Sequence, residues 1–349
     1  MKLIKIAILT AIIPTLFNQC TKHTPEPPGF TCPVGLDSLT VAAVNVDTLL
    51  SCAVLPCAWQ CEQSNPPAVR YLYSFPCFNP NNQDEIAFIR FDYQGVFGDN
   101  VELCVLDMCT GVQKIIHNKV LTNLDWSVKD WILFTGRNQM LYKIKPNGDS
   151  LTQMSFSGDY NFNAVWNPDG SRFVWFQQVG SLGLRIVSDE FGINQDTLPI
   201  TVNAGRFEWI TNSKIAFDYG VTGQPSARVG IIDIGSYETQ YDVFNLEGLG
   251  FYPNTYLLNM DWIESEQSVL FSTKLGVFKT NIHTKQRTVL VNGFDETRRY
   301  EWARVSPDGK FCLMHRRDGK STVCKTDFME RLYVVNLDGT NERRVKLAE

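Results

Sequence analysis

The sequence predicts an all-β chain of repeated four-stranded units, and three observations carry that reading. First, a Pro-Asp-Gly turn occurs at Pro168-Asp169-Gly170, after Trp166, and again at Pro307-Asp308-Gly309. Pro presets φ for the second turn position, and Asp and Gly suit the bends that follow. Second, each turn leads into a short apolar run, Phe173-Val174-Trp175-Phe176 and Phe311-Cys312-Leu313-Met314. Such β-branched and aromatic residues fit a pleated, buried surface. Third, the same shape recurs behind Phe78, Trp126, Trp166, Trp209, Trp262 and Val305, anchors spaced 40 to 53 residues apart. A period of that length with short strands marks propeller blades. The prediction is a six-bladed β-propeller of four-stranded antiparallel blades, preceded by a small Cys-rich cap. A seventh blade, partly supplied by the cap, is the alternative.

Residues 1–19 carry Lys2 and Lys5, then an apolar run from Ile6 to Phe17 interrupted by Pro14. The run is too short to span a bilayer and has the layout of a signal peptide. Its end, Leu16-Phe17-Asn18-Gln19-Cys20, resembles a bacterial lipoprotein signal. That resemblance implies lipidation at Cys20 and a flexible polar tether over 20–29, which contains Pro25, Pro27 and Pro28. Gln19 stands where lipoproteins carry a small residue, and Phe17 where they carry Leu. Ordinary cleavage nearby is the competing reading.

Residues 30–69 break the repeat. Cys32, Cys52, Cys57 and Cys61 crowd this segment, with Cys77 just beyond it. Metal ligation is one use of such a cluster, but exported chains form disulfides, and zinc sites favour tighter Cys pairs. The reading is a stapled cap packed on the first blade.

The propeller is assigned to residues 70–349. Its degenerate repeats run from Phe78 into Ile86-Ala87-Phe88-Ile89 and from Trp126 into Ile132-Leu133-Phe134. The others run from Trp209 into Ile215-Ala216-Phe217 and from Trp262 into Val269-Leu270-Phe271. A further strand and hairpin follow each run, as in Leu332-Tyr333-Val334-Val335-Asn336-Leu337-Asp338-Gly339. Asp-Gly and Asn-Gly between strand-like runs are hairpin signals. This combination of turn, apolar strand, Tyr-Val strand and Asp-Gly hairpin resembles the TolB-like, WD40-like β-propeller family. The resemblance implies envelope partners of the peptidoglycan-associated lipoprotein kind. TolB itself carries an N-terminal α/β domain, where this chain has a Cys-rich cap and a lipidation signal.

Charge excludes some partners. Loss of Lys2 and Lys5 with the leader takes the formal net charge from −5 to −7. That speaks against nucleic acid, which recruits basic patches. Chemistry is sparse. His23, His117, His283 and His315 do not occupy equivalent blade positions, and no nucleophile elbow, zinc-protease motif or phosphate loop is present. Asp125, Glu208, Asp261 and Glu301 each precede an aromatic residue, Trp126, Trp209, Trp262 and Trp302. Repeated around the ring, they could line one channel mouth and bind a cation or a basic peptide. The alternative is that they accept hydrogen bonds from backbone amides of the next blade. Placing a three-residue loop at Arg317-Asp318-Gly319 sets Cys312 opposite Cys324 and predicts a cross-strand disulfide.

The expectation is therefore a non-catalytic, monomeric envelope lipoprotein without cofactor or metal. Its propeller is a binding scaffold for a protein or glycan partner. It meets the membrane, an outer membrane, only through its N-terminal lipid. The rival is a propeller glycan lyase or hydrolase with an axial site.

Overall fold

The computed structural model describes residues 71–92, 101–156, 160–220, 227–245, 257–273, 276–292, 298–321 and 326–347. The predicted leader, tether and cap lie outside the described residues.

The described residues form six four-stranded antiparallel sheets, each continuous in sequence. The first is β1 (Tyr71–Asn79), β2 (Asn82–Asp92), β3 (Val101–Asp107) and β4 (Val112–Asn118). The second is β5 (Val120–Trp126), β6 (Ile132–Gly136), β7 (Leu141–Ile144) and β8 (Thr152–Gln153). The third is β9 (Tyr160–Trp166), β10 (Arg172–Val179), β11 (Leu182–Asp189) and β12 (Gln195–Thr197). The fourth is β13 (Asn203–Trp209), β14 (Lys214–Gly220), β15 (Ala227–Asp233) and β16 (Thr239–Asn245). The fifth is β17 (Asn259–Ile263), β18 (Ser268–Thr273), β19 (Gly276–Asn281) and β20 (Arg287–Asn292). The sixth is β21 (Arg298–Val305), β22 (Phe311–Ser321), β23 (Thr326–Asn336) and β24 (Arg343–Arg344). First strands touch one another around the ring, and β21 closes on β1. The structure is thus a six-bladed propeller with the first strand of each blade innermost.

The apolar runs are the second strands. Each is covered on both faces by neighbouring blades, so residues of both parities are apolar. Ile86, Ala87, Phe88 and Ile89 in β2, and Ile132, Leu133 and Phe134 in β6, are fully buried. The core divides into six clusters, one per seam between blades. Every anchor lies in the seam with the preceding blade: Phe78 against the sixth, Trp126 against the first, Trp209 against the third. Trp209 also donates its indole N–H to the Val165 carbonyl of the third blade at 3.1 Å. The aromatic before each turn is therefore mortar between blades.

The turns explain why the motif degenerates. Gly170 takes φ +67° and Gly309 +68°, and each donates its N–H back three residues, to Asn167 O and Ser306 O. Asp130 at φ +64° and Gln267 at +48° fill the corresponding left-handed place in the second and fifth blades. The turn geometry persists where the Pro-Asp-Gly spelling is lost.

Among the described residues, the first and last blades are joined by packing, without strand exchange. Tyr73, Phe78 and Phe88 pack against Leu313, Leu332, Val334 and Val345. Arg331 donates to the Tyr71 carbonyl at 2.8 Å and lies over the Tyr73 ring, 5.2 Å from its centroid.

The sixth blade corrects one expectation. Arg317, Asp318 and Gly319 do not form a loop. They continue β22, which pairs with β23 out to Ser321 opposite Thr326. Cys312 therefore faces Val335, and its buried thiol is free. Residue 324 lies outside the described residues. The three-residue loop misplaced the hairpin because a Gly inside a strand was read as its turn.

Candidate functional site

The residue just before each anchor lies on the opposite face of the innermost strand, toward the following blade, as Cys77 and Val165 in the seams with blades two and four show. In ring order these are Cys77, Asp125, Val165, Glu208, Asp261 and Arg304. Their equivalence is fixed by register, since each anchor pairs with the first apolar residues of the next strand: Trp126 with Ile132, Trp209 with Ile215, Val305 with Cys312. Three carboxylates and one guanidinium thus meet in one layer. Arg304 lies 3.5 Å from Asp125, 3.3 Å from Glu208 and 3.9 Å from Asp261. Its second terminal nitrogen also approaches the Leu124 carbonyl at 3.4 Å. One side chain of the last blade therefore bonds to blades two, four and five.

The carboxylates have second duties. Asp125 accepts the Trp166 backbone N–H at 2.6 Å, and Asp261 accepts the Val305 N–H at 2.5 Å, each reaching the anchor amide of the next blade. Glu208 accepts from Trp209 N–H at 3.1 Å, within its own blade. An internal anion stabilises such donors more than a neutral acceptor would.

Glu301 does not join this layer. It pairs across β21–β22 with His315, three residues before Arg304, and its carboxylate sits 3.7 Å from Arg317. Trp302, the aromatic that made Glu301 look equivalent, occupies a bulge with φ +55°. Phe75, Asn123 and Asn163 hold the same bulge position in blades one to three, at φ +53°, +66° and +55°. Arg304 was the axial member in that blade, recognisable once Val305 is taken as the anchor.

The bulge residues, with Asn259 at the same place in the regular β17, form a second layer. Asn123 donates to Ala164 O at 3.2 Å, Asn163 to Gly205 O at 2.5 Å and Asn259 to Ala303 O at 2.7 Å, each across a seam. Arg206 donates its Nε–H to Leu258 O at 3.0 Å. Phe75 meets Trp302 edge-to-face at 4.5 Å, closing the circle between blades one and six.

Electrostatics follow from the charge count. Three carboxylates share one guanidinium in a layer where their side chains are only 11–16% exposed. Burial raises Asp125 to about 6, against the opposing pull of Arg304. Burial, then the nearby Asp261 charge, push Glu208 well up, and burial raises Asp261. The arrangement stores protons that the unfolded chain would release. Burial also pushes the Cys77 thiol beside this layer far up, so it is no nucleophile near neutral pH.

The histidines stay apart. His117 packs against the Phe134 ring at 5.3 Å, and His283 sits in the exposed turn after β19. His315 is buried, with Nε2 3.3 Å from Glu330, whose other oxygen pairs with Arg317 at 2.6 Å.

Comparison with known proteins adds the fold and little else. No protein-family model matches the chain, and no curated protein sequence matches it. Solved structures do. The putative TolB from Agrobacterium tumefaciens superposes with a TM-score of 0.56 at 13% identity, over 71% of this chain and 88% of that one. An oligogalacturonate lyase in complex with manganese gives 0.51 at 10% identity, over 79% and 77%. The propeller domain of the Trilobed protease from Pyrococcus furiosus, described as having an open velcro topology, gives 0.50 at 12%, over 78% and 83%. By architecture, then, the chain is an all-β, six-bladed β-propeller similar to that of TolB.

Proposed function

We propose that this protein is a non-catalytic binding scaffold of the bacterial envelope, held to the membrane by lipid on Cys20 and presenting its propeller to a protein or glycan partner. The observation that carries the reading is the axial layer. The ionic side chains that the sequence offers for chemistry are spent on Arg304 and on neighbouring blade amides. What remains is a rigid ring whose connecting loops are free to vary, the usual division of labour between scaffold and binding surface. Cys109, in the turn after β3, is disulfide-bonded, which supports an oxidising, exported setting. Among the described residues no helix is long and apolar enough to cross a membrane, in keeping with attachment through the N-terminus.

Cross-linking in native membranes, followed by mass spectrometry, tests the scaffold. A reproducible envelope partner bridged to the propeller is expected; an abundant, folded protein with no recovered partner overturns the reading. The anchor has its own test. Cys20→Ala is expected to move the protein from the membrane pellet to the soluble fraction and to abolish incorporation of a clickable fatty acid. Unchanged pelleting and labelling would show that Cys20 is not the attachment point.

A further inference from the structure

The bulge layer contains a buried donor that nothing in the protein uses. Trp302 is 7% exposed, yet its indole N–H has no acceptor. Arg206 donates its Nε–H to Leu258 O, and neither of its terminal nitrogens is a buried donor left without a partner. The guanidinium lies over the Trp302 indole, 5.9 Å from the ring centroid, so blade four reaches past blade five to blade six. A buried donor without an acceptor, as the Trp302 indole N–H is, calls for an explanation, and an unseen acceptor is one. A guanidinium fork is shaped for a planar oxyanion.

The surroundings point the same way. Asp218 holds the bulge in place, its Oδ1 accepting the Gly205 and Arg206 backbone N–H groups at 3.1 and 2.6 Å. The Arg206 fork is thereby aimed by its backbone and not by pairing with that carboxylate. Phe75 and Trp302, both bulky, sit at positive φ, a conformation that costs energy and gathers at ligand clamps. Phe75 and Arg206 are only partly buried, whereas the Trp302 indole nitrogen is buried, so a ligand reaches it past the first two. The three lie toward the starts of the first strands, one layer out from Arg304. Burial lowers the Arg206 pKa, with the nearby Asp218 charge pulling the other way.

We propose that the channel mouth binds a carboxylate, gripped by the terminal nitrogens of Arg206 and the indole N–H of Trp302, with Phe75 packing on the carbon chain or ring that bears it. The proposal rests on the scaffold reading and names the chemistry its partner brings: an acidic side chain or chain terminus, or a uronic acid.

Indole N–H spectra of the 15N-tryptophan-labelled full chain in detergent test it, because each of the eight tryptophans gives one signal and Trp302→Phe identifies the one in question. The probes are N-acetylglutamate amide and glucuronate, with N-acetylglutamine amide and glucose as neutral controls. The Trp302 signal is expected to shift saturably with a carboxylate and not with its control. Arg206→Gln should weaken that binding at least tenfold, and Arg206→Lys should weaken it less. No saturable shift with either carboxylate overturns the proposal, as does a shift that survives in Arg206→Gln. Should Arg206→Gln lose indole dispersion through misfolding, Arg206→Lys decides. Tighter binding of the glutamate probe assigns the carboxylate to a protein, and tighter glucuronate to a glycan. A partner cross-linked at the mouth without any carboxylate response sinks this inference and leaves the scaffold standing.

Discussion

Replacing Arg304 by Ala is expected to destabilise the propeller by about 3–5 kcal/mol, the range seen when one partner of a buried ion pair is removed. The side chain is 6% exposed and faces three carboxylates from three other blades. Its loss leaves Asp125, Glu208 and Asp261 facing one another with no counter-charge. Thermal melting should show the midpoint falling by roughly 2 °C per kcal/mol for a domain of this size. Arg304→Met, which keeps much of the volume, should behave the same way if charge is the cause. Adding Asp125→Asn, Glu208→Gln and Asp261→Asn to Arg304→Met should recover part of the loss, because amides keep the backbone contacts without the repulsion. A variant that melts like the wild type would mean that the axial ions contribute nothing to ring stability.

The same layer sets a pH signature. Asp125 titrates at about 6 in the folded protein against an ordinary value of 3.8. Between those values the folded state holds a proton that the unfolded chain has released. Linkage then makes stability from this group greatest below the unfolded value and lost as pH rises through about 6. Glu208 and Asp261 are raised too and work in the same direction. Without Arg304 all three rise further. The stability gap between Arg304→Ala and wild type should therefore narrow as pH is lowered from 7 toward 5. A gap that is constant or wider in acid would contradict the assignment.

What was legible in the sequence, and what was not, divides along physical lines. Blade number and second strands were legible because burial on both faces demands runs such as Ile86–Ile89 and Val269–Phe271, and because each seam takes a large anchor. Asp125, Glu208 and Asp261 were legible as axial because their anchors are tryptophans. Arg304 was missed because its anchor is Val305, while Trp302, displaced onto a bulge, drew attention to Glu301. Bulges are invisible to period-two counting: one extra residue shifts which side chain faces the axis. The extended β22–β23 hairpin was misread for a related reason, since Gly319 is as compatible with a strand near its end as with a turn. Arg206 gave no signal at all, because its partner Trp302 lies two blades and 96 residues away.

Tyr73→Ala should be the most damaging substitution at the closure seam, costing about 3–5 kcal/mol as large aromatic truncations in cores do. Tyr73 is fully buried, meets Phe88 edge-to-face at 5.7 Å, and carries the Arg331 guanidinium on its ring. Five seams join blades that are also linked by the chain; among the described residues, the seam between the first and last blades is held by side-chain contacts. Among the described residues no strand crosses it, and its hydrophobic cluster and the Arg331 bond to Tyr71 resist ring opening. Loss of Tyr73 removes apolar packing and also strips Arg331, itself 5% exposed, of part of its cover. Hydrogen exchange should then quicken first in β1, β22 and β23, with the third and fourth blades protected longer. The equivalent truncation at an interior seam, Phe207→Ala between blades three and four, should cost a similar amount in overall stability without that localised opening. Uniform quickening around the ring in Tyr73→Ala would show that the six seams share the load equally and that closure by packing creates no weak point.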